Sequence, residues 1–344
     1  MSAYQIILDH RYQMSAIPQA KILSEITTNP NLENQSFTRL HKCILGLTSE
    51  TVEVLLRGTS SSEIDETDLQ GRSALHLAAY KLNSNVIDVL IAHGAKLDIR
   101  DHTGKTPLHV AAALGSTRCT SSLINGGSKL ESTDQFGSTP LHHVCMQGHY
   151  QTVEFLLDAG ANIEAINSVL ETPLRYAVSG DHIEVVTLLH QRGAAFNALD
   201  KWGSTVLHIA ARFNSHRVLR FLLGIKMRVD QRYDSGKTIL HILAESGDVQ
   251  TMGIFLDIQL RRVDVAALDR EGWTAEDYLK RRRDLNEVRD LFRTLLSRTK
   301  SLRAQEILCY QEELDDIHNE NEEFFDAMES NLIGLEPTTQ SNGS

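Results

Sequence analysis

Only two tryptophans and six prolines occur in 344 residues, and the four cysteines, Cys43, Cys119, Cys145 and Cys309, stand singly. Without a CxxC pair or dense cysteine spacing a disulfide scaffold is excluded, and a reducing compartment fits best. No apolar run reaches the roughly eighteen residues of a membrane span. Asp9, His10 and Arg11 fall where a secretory signal would need its apolar stretch, so none is expected. These absences lead to the expectation of an intracellular protein, cytoplasmic rather than nuclear, without a membrane contact.

Lysine and arginine are missing from residues 305–344, which hold eleven Asp and Glu. The formal net charge of -11 therefore belongs to that tail, leaving 34 acids against 34 bases before it. A balanced folded region argues against general nucleic-acid binding, which needs a basic face to displace counterions from phosphate. There is no GxSxG, HExxH or GxGxxG, so acyl transfer, metalloprotease and dinucleotide chemistry have no support. Gly104-Lys105-Thr106 and Gly236-Lys237-Thr238 imitate the end of a phosphate loop, but Ile99 and Gln231 stand where its first glycine belongs. No catalytic residue, metal or cofactor is expected.

What is present is a period. Leu75, Leu108, Leu141, Leu174, Leu207 and Leu240 follow one another at intervals of 33 residues. Around them stand GRSALHLAA from Gly71, GKTPLHVAA from Gly104, GSTPLHHVC from Gly137, LETPLRYAV from Leu170, GSTVLHIAA from Gly203 and GKTILHILA from Gly236. Thr106 before Pro107 suits an N-cap followed by the first helical position. His109, three residues on, can return a hydrogen bond to that threonine as the acid of a capping box does. Ala111 and Ala112 admit a close neighbouring helix. Val153, Leu156 and Leu157 have the spacing of a second helix, which Gly160 is placed to stop in the left-handed conformation. Each unit therefore reads as helix, turn, helix and short hairpin, and such units are stable only when stacked.

The Gly, Thr-Pro-Leu-His and small apolar series resembles the ankyrin-repeat family, and FTRLHKCILGL from Phe37 resembles the opening repeat of fungal ankyrin proteins. The resemblance implies an all-α-rich solenoid of about eight units, including divergent caps at Phe37–His41 and Gly272–Asp277. In the second cap, Glu276 and Asp277 replace Leu and His. The expected organisation is a helical lead-in over 1–35, the solenoid over 36–280, a helix over 281–313 and an acidic, weakly ordered tail over 314–344. The last of these helices carries Leu285, Val288, Leu291, Phe292, Leu295 and Leu296 at helical spacing.

By that resemblance the chain is a non-enzymatic scaffold or adaptor, a monomer that holds a partner protein across hairpin tips and first helices lining a concave face. The residue before each turn glycine, or its equivalent, reads Gln70, Thr103, Phe136, Val169, Trp202 and Ser235. Three successive large or apolar tips form an exposed stripe of about 20 Å if units are spaced about 10 Å apart, as a binding surface would. Equally, such side chains can pack on the neighbouring hairpin. Leu170, in place of a turn glycine, should disfavour the left-handed turn and stay at the surface with Val169. Candidate contacts are Phe136, Val169, Leu170, Trp202 and Tyr233 on the hairpins, with His143, Tyr176, Arg212 and Phe213 on the first helices.

Four further features need a reading. His142, His143, Cys145 and His149 have a metal-like composition, but their places in the repeat should make the side chains diverge. Lys201 to Lys237 holds eight Lys and Arg against two Asp, a bias that would attract an acidic partner or the chain's own tail. A rival function is a substrate-receptor subunit of a multi-protein enzyme complex, such as a ubiquitin ligase, docked through the helix after Lys280. The basic run Lys280 to Arg283 reads as a solvated helix start rather than a localisation signal.

Overall fold

The computed structural model describes residues 37–305, apart from 59, 234, 259, 261, 262 and 283–285. The lead-in over 1–35 and the acidic tail lie outside the described residues.

Eight first helices recur among the described residues: α1 (Arg39–Leu45), α4 (Ala74–Tyr80), α6 (Pro107–Ala113), α8 (Pro140–Gln147), α10 (Pro173–Ser179), α12 (Val206–Arg212), α14 (Ile239–Ser246) and α16 (Ala275–Arg281). Their partners are α2 (Val52–Leu56), α5 (Ser84–Ala92), α7 (Thr117–Asn125), α9 (Tyr150–Asp158), α11 (Ile183–Gln191), α13 (His216–Gly224) and α15 (Val249–Leu256). A single turn, α3 (Ser61–Ile64), precedes the second unit, and residues 286–305 are helical. Each first helix packs on the next first helix, and each second helix from α2 to α15 on the next second helix, giving two layers stacked in chain order.

The same local chemistry starts nearly every first helix. Thr106 is in extended conformation and its N–H donates to His109 Nδ1 at 3.1 Å, the capping box expected from the sequence. That histidine then reaches out of its unit, because its Nε2–H donates to the carbonyl of Ser138 at 3.1 Å. His76, His142, His208 and His241 repeat the arrangement onto Lys105, Glu171, Gln231 and Trp273. In the last unit no further carbonyl is required, and Asp277 closes an ordinary acidic box with Thr274, its Oδ2 accepting from the Thr274 hydroxyl at 2.7 Å.

The six repeat leucines are all at most 2% exposed, so they mark equivalent core positions. Ala78, Ala111, Ala177, Ala210 and Ala244 have no exposed surface, which lets adjacent first helices approach closely. At the far end Val288, Phe292, Leu295 and Leu296 of the helix over 286–305 are buried in the same core as Phe255, Leu260 and Leu279. Burying such a stripe removes apolar surface that a terminal unit would otherwise present to water.

The expected hairpins are loops rather than strands: among the described residues the only β-pairing is an isolated bridge between Thr67 and Ser73, across the loop of the second unit. Each loop is instead drawn shut across four residues, as where Asp134 N–H donates to the carbonyl of Ser138 at 2.9 Å. Gly137 within that loop has φ +78, and an added Cβ would lie 2.8 Å from Ser168 N of the next loop. Glycine is therefore required there for both conformation and space. Leu170 is left-handed despite its side chain, with φ +60. The expectation that it would disfavour that turn is corrected, because the stacked neighbours hold the loop in the shared shape at a cost of about 1–2 kcal/mol.

Candidate interaction surface

One residue anchors each loop. Asp134 Oδ1 accepts from the N–H groups of Phe136 and Ser138, at 2.8 and 2.9 Å. Asp68, Asp101, Asn167, Asp200 and Asp269 make the same two bonds at their own loops. Such an Asx anchor fixes the turn without a second strand. Tyr233 is the exception in this slot, 33 residues after Asp200.

Loops are then tied to one another. His102 N–H donates to Gln70 O at 2.8 Å, Gln135 N–H to Thr103 O at 3.0 Å, Ser168 N–H to Phe136 O at 3.0 Å and Lys201 N–H to Val169 O at 3.0 Å. A tip residue such as Phe136 thus spends its N–H on its own anchor and its carbonyl on the next loop. Its main-chain groups are therefore committed within the stack of loops. Phe136 and Leu170 are 39% and 47% exposed, with Val169 and Trp202 half-buried beside them.

Two further apolar residues belong to this edge and were not singled out from sequence. Ile166 and Leu199 are 56% and 53% exposed, each immediately before its loop anchor. The same slot holds Thr67, Arg100, Thr133 and Arg232 in the other units that keep the 33-residue register, where the change to apolar residues was visible, and Leu268, 55% exposed, in the last unit outside that register. Together Ile166, Leu199 and the tip side chains make an apolar edge on the loops of units four to six, at Asp134–Ser138, Asn167–Glu171 and Asp200–Ser204.

Three candidates are not on it. His143, Tyr176 and Tyr233 are buried, and their selection as contact residues is corrected. His143 and Tyr176 lie nine residues after a loop anchor and turn inward to it. His143 Nε2 is 2.9 Å from Asp134 Oδ2, and Asn167 Nδ2 donates to Tyr176 Oη at 3.0 Å. Tyr233 sits in the anchor slot itself, its ring centroid 4.6 Å from that of His208. Arg212 and Phe213 remain half-buried, with the Arg212 guanidinium 5.7 Å from the Tyr233 ring.

The metal-like group disperses as its repeat positions require. His142 bridges Thr139 and Glu171, His143 faces Asp134, Cys145 is wholly buried, and the His149 ring lies against Gly115. Burial would raise the Asp134 carboxyl, yet His143 and the N–H groups of Ser138 and Phe136 hold it down to about 2. Burial likewise holds His142 down to about 4, as a neutral bridging ring needs.

Nor is residues 201–237 one basic patch. Arg217 pairs with Glu184 at 2.5 Å, Arg228 with Asp230 at 3.0 Å, Lys237 with Glu245 at 2.9 Å and Arg232 with Asp264 at 3.9 Å. Lys201 is exposed on the tip beside Trp202.

A sequence model described as ankyrin repeats in three copies matches residues 16–101, 40–134, 84–167, 112–200 and 174–269 in overlapping windows. The chain is an ankyrin-repeat protein. Its fold is similar to the crystal structure of the human ASB11 ankyrin repeat domain, with a TM-score of 0.56 and 24% identity over 64% of this chain and 96% of that one. Ankyrin repeats are protein–protein interaction modules. Within this ankyrin array, unit five is the departure: Asn167, Leu170 and Arg175 replace the Asp, Gly and His of neighbouring units. No helix among the described residues is long and apolar enough to cross a membrane.

Proposed function

We propose that this ankyrin-repeat chain is a non-enzymatic scaffold or adaptor that binds a partner protein along the loop edge of units four to six. The observation that carries the reading is the run of exposed apolar side chains, Phe136, Ile166, Leu170 and Leu199, on loops whose main-chain groups are already used. Trp202 and Val169 complete the edge, and Arg212 and Phe213, at the C-terminal end of first helix α12, are further candidate contacts. Apolar and aromatic side chains rimmed by polar residues are what binding hot spots favour. Three adjacent units supply the roughly 800 Å² that an ordinary interface buries on one side.

The test is affinity capture with purified full-length chains carrying Phe136→Ala, Ile166→Ser or Trp202→Ala. Tyr150→Ala, on second helix α9, serves as a control of matching exposure. Partners lost from the three loop variants and kept by the control support the reading. Partners retained by all four would sink it.

The substrate-receptor reading, with docking through the terminal helix, draws less support. The apolar stripe of the helix over 286–305 is spent on the last ankyrin unit, where Phe292 has no exposed surface.

A further inference from the structure

We infer that residues 320–336 of this same chain bind the loop edge of units four to six and cover Trp202 and Leu170 until a partner displaces them. The inference rests on the reading of that edge as a binding surface, and it adds what occupies the edge in the free protein.

Three observations meet here. The first is chemical fit. The edge presents Phe136, Leu170 and Trp202 with the exposed cation of Lys201 beside the tryptophan. Residues 320–336 carry Phe324, Phe325, Met328 and Leu332 among six Asp and Glu, with no Lys or Arg. Acids and large apolar groups interleaved in this way complement an apolar edge flanked by a base.

The second is charge placement. The acids on these loops do not repel an acidic segment as free carboxylates would, because each is turned inward onto a cationic or hydrogen-bonding partner. Asp134 faces His143 at 2.9 Å, Asp200 faces Arg175 at 2.6 Å, and Glu171 faces Arg175 at 2.9 Å. The loops of units five and six therefore turn no free carboxylate to solvent: Leu170, Ser168 and Lys201 are what they expose.

The third is reach. Near the end of the helix over 286–305, Arg303 Nη1 lies 2.6 Å from Asp264 Oδ1, and Asp264 also pairs with Arg232 beside the loop of unit seven. The chain thus leaves the described solenoid on the loop side, one unit from Trp202. Stacked units are about 10 Å apart, and the stretch from 306 to 324 can span up to about 60 Å. Phe324 can reach any of the three loops.

Fluorescence of full-length chains tests this. With Trp273→Phe, Trp202 is the one remaining tryptophan, and its emission maximum and acrylamide quenching report whether it is covered. The parent is compared with Phe324→Ser plus Phe325→Ser, and separately with Glu322→Lys plus Glu323→Lys; circular dichroism melts verify that the solenoid is unchanged. Both tail variants are expected to shift Trp202 emission to longer wavelength and to raise its quenching, and added salt should move the parent the same way. Identical quenching in parent and variants would overturn the inference. So would protection of the parent that disappears on dilution, since the tail would then be reaching a second copy. The two readings fail separately. Unchanged quenching with partner capture still lost in Trp202→Ala removes only the tail contact; uncovered Trp202 with no partner lost from any loop variant removes only the partner-binding assignment.

Discussion

Arg175 Nη1 lies 2.6 Å from Asp200 Oδ2 while both side chains are buried. The same guanidinium bonds Glu171 through Nε at 2.9 Å, so one cation joins the loops of units five and six. Neighbouring units use a neutral histidine for this link, and a buried cation needs its carboxylates in place to offset lost hydration. Arg175→Ala should lower stability by about 3–5 kcal/mol, because it leaves two buried carboxylates without their cation. Arg175→Lys should recover only part, since an ammonium lacks the planar fork. Urea denaturation midpoints of the two variants check the order; equal midpoints for Arg175→Ala and the parent would contradict it.

Leu170→Gly should stabilise the chain by about 1 kcal/mol, because the left-handed φ of +60 carries no penalty for glycine. The reverse change at an equivalent place, Gly137→Ala, should destabilise, since its Cβ would fall 2.8 Å from Ser168 N. Thermal melts of both variants decide, and movement of both in one direction would refute the loop account.

Acid should loosen the stack well before the carboxylates titrate. His142 and His208 are held at about 4 and His109 at about 3, because burial disfavours the charged ring. The unfolded chain takes up those protons near about pH 6.5 while the folded one does not. The unfolded state therefore binds more protons on acidification, and stability is lost from about pH 6.5 down to about pH 4. Asp134, held at about 2, keeps its contribution above the ordinary carboxylate value of about 3.9 and loses it only below that. Thermal midpoints measured from neutral pH to about pH 4 should fall steadily; a flat profile over that window would contradict the burial of neutral rings.

Tyr176→Phe removes the hydroxyl that accepts from Asn167 Nδ2 at 3.0 Å. It should cost about 1 kcal/mol of stability and leave partner capture unaltered. Trp202→Ala should do the opposite, costing affinity by about 2 kcal/mol if it is a hot spot while shifting the melt little. Titration of a captured partner against both variants separates the two roles.

Much of this was legible in the residues. Leu75 through Leu240 recur in register and prove to be equivalent core positions, and Thr106 with His109 proved to be a capping pair, because each feature repeats locally and depends on neighbours close in the chain. Tyr176 and Tyr233 were less legible. An aromatic on a first helix or beside a turn looks exposed until the loop anchor nine residues earlier, or the anchor slot itself, is recognised as pointing inward. Ile166 and Leu199 were less legible for a related reason: the repeat marks the tip by its glycine, whereas the apolar edge also uses the residue ahead of the anchor. Arg175 in a histidine slot was plain in the sequence, but its partner Asp200 comes from the next unit and needed three dimensions to find.

Phe136 and Val169 give both their main-chain groups to the turn and the adjoining loop, so the turn does not depend on which side chain is written at those places. Exchanging it alters what the molecule can recognise without redrawing the molecule. With Gln70, whose two groups are used the same way, such positions amount to a vocabulary that mutation can respell one word at a time.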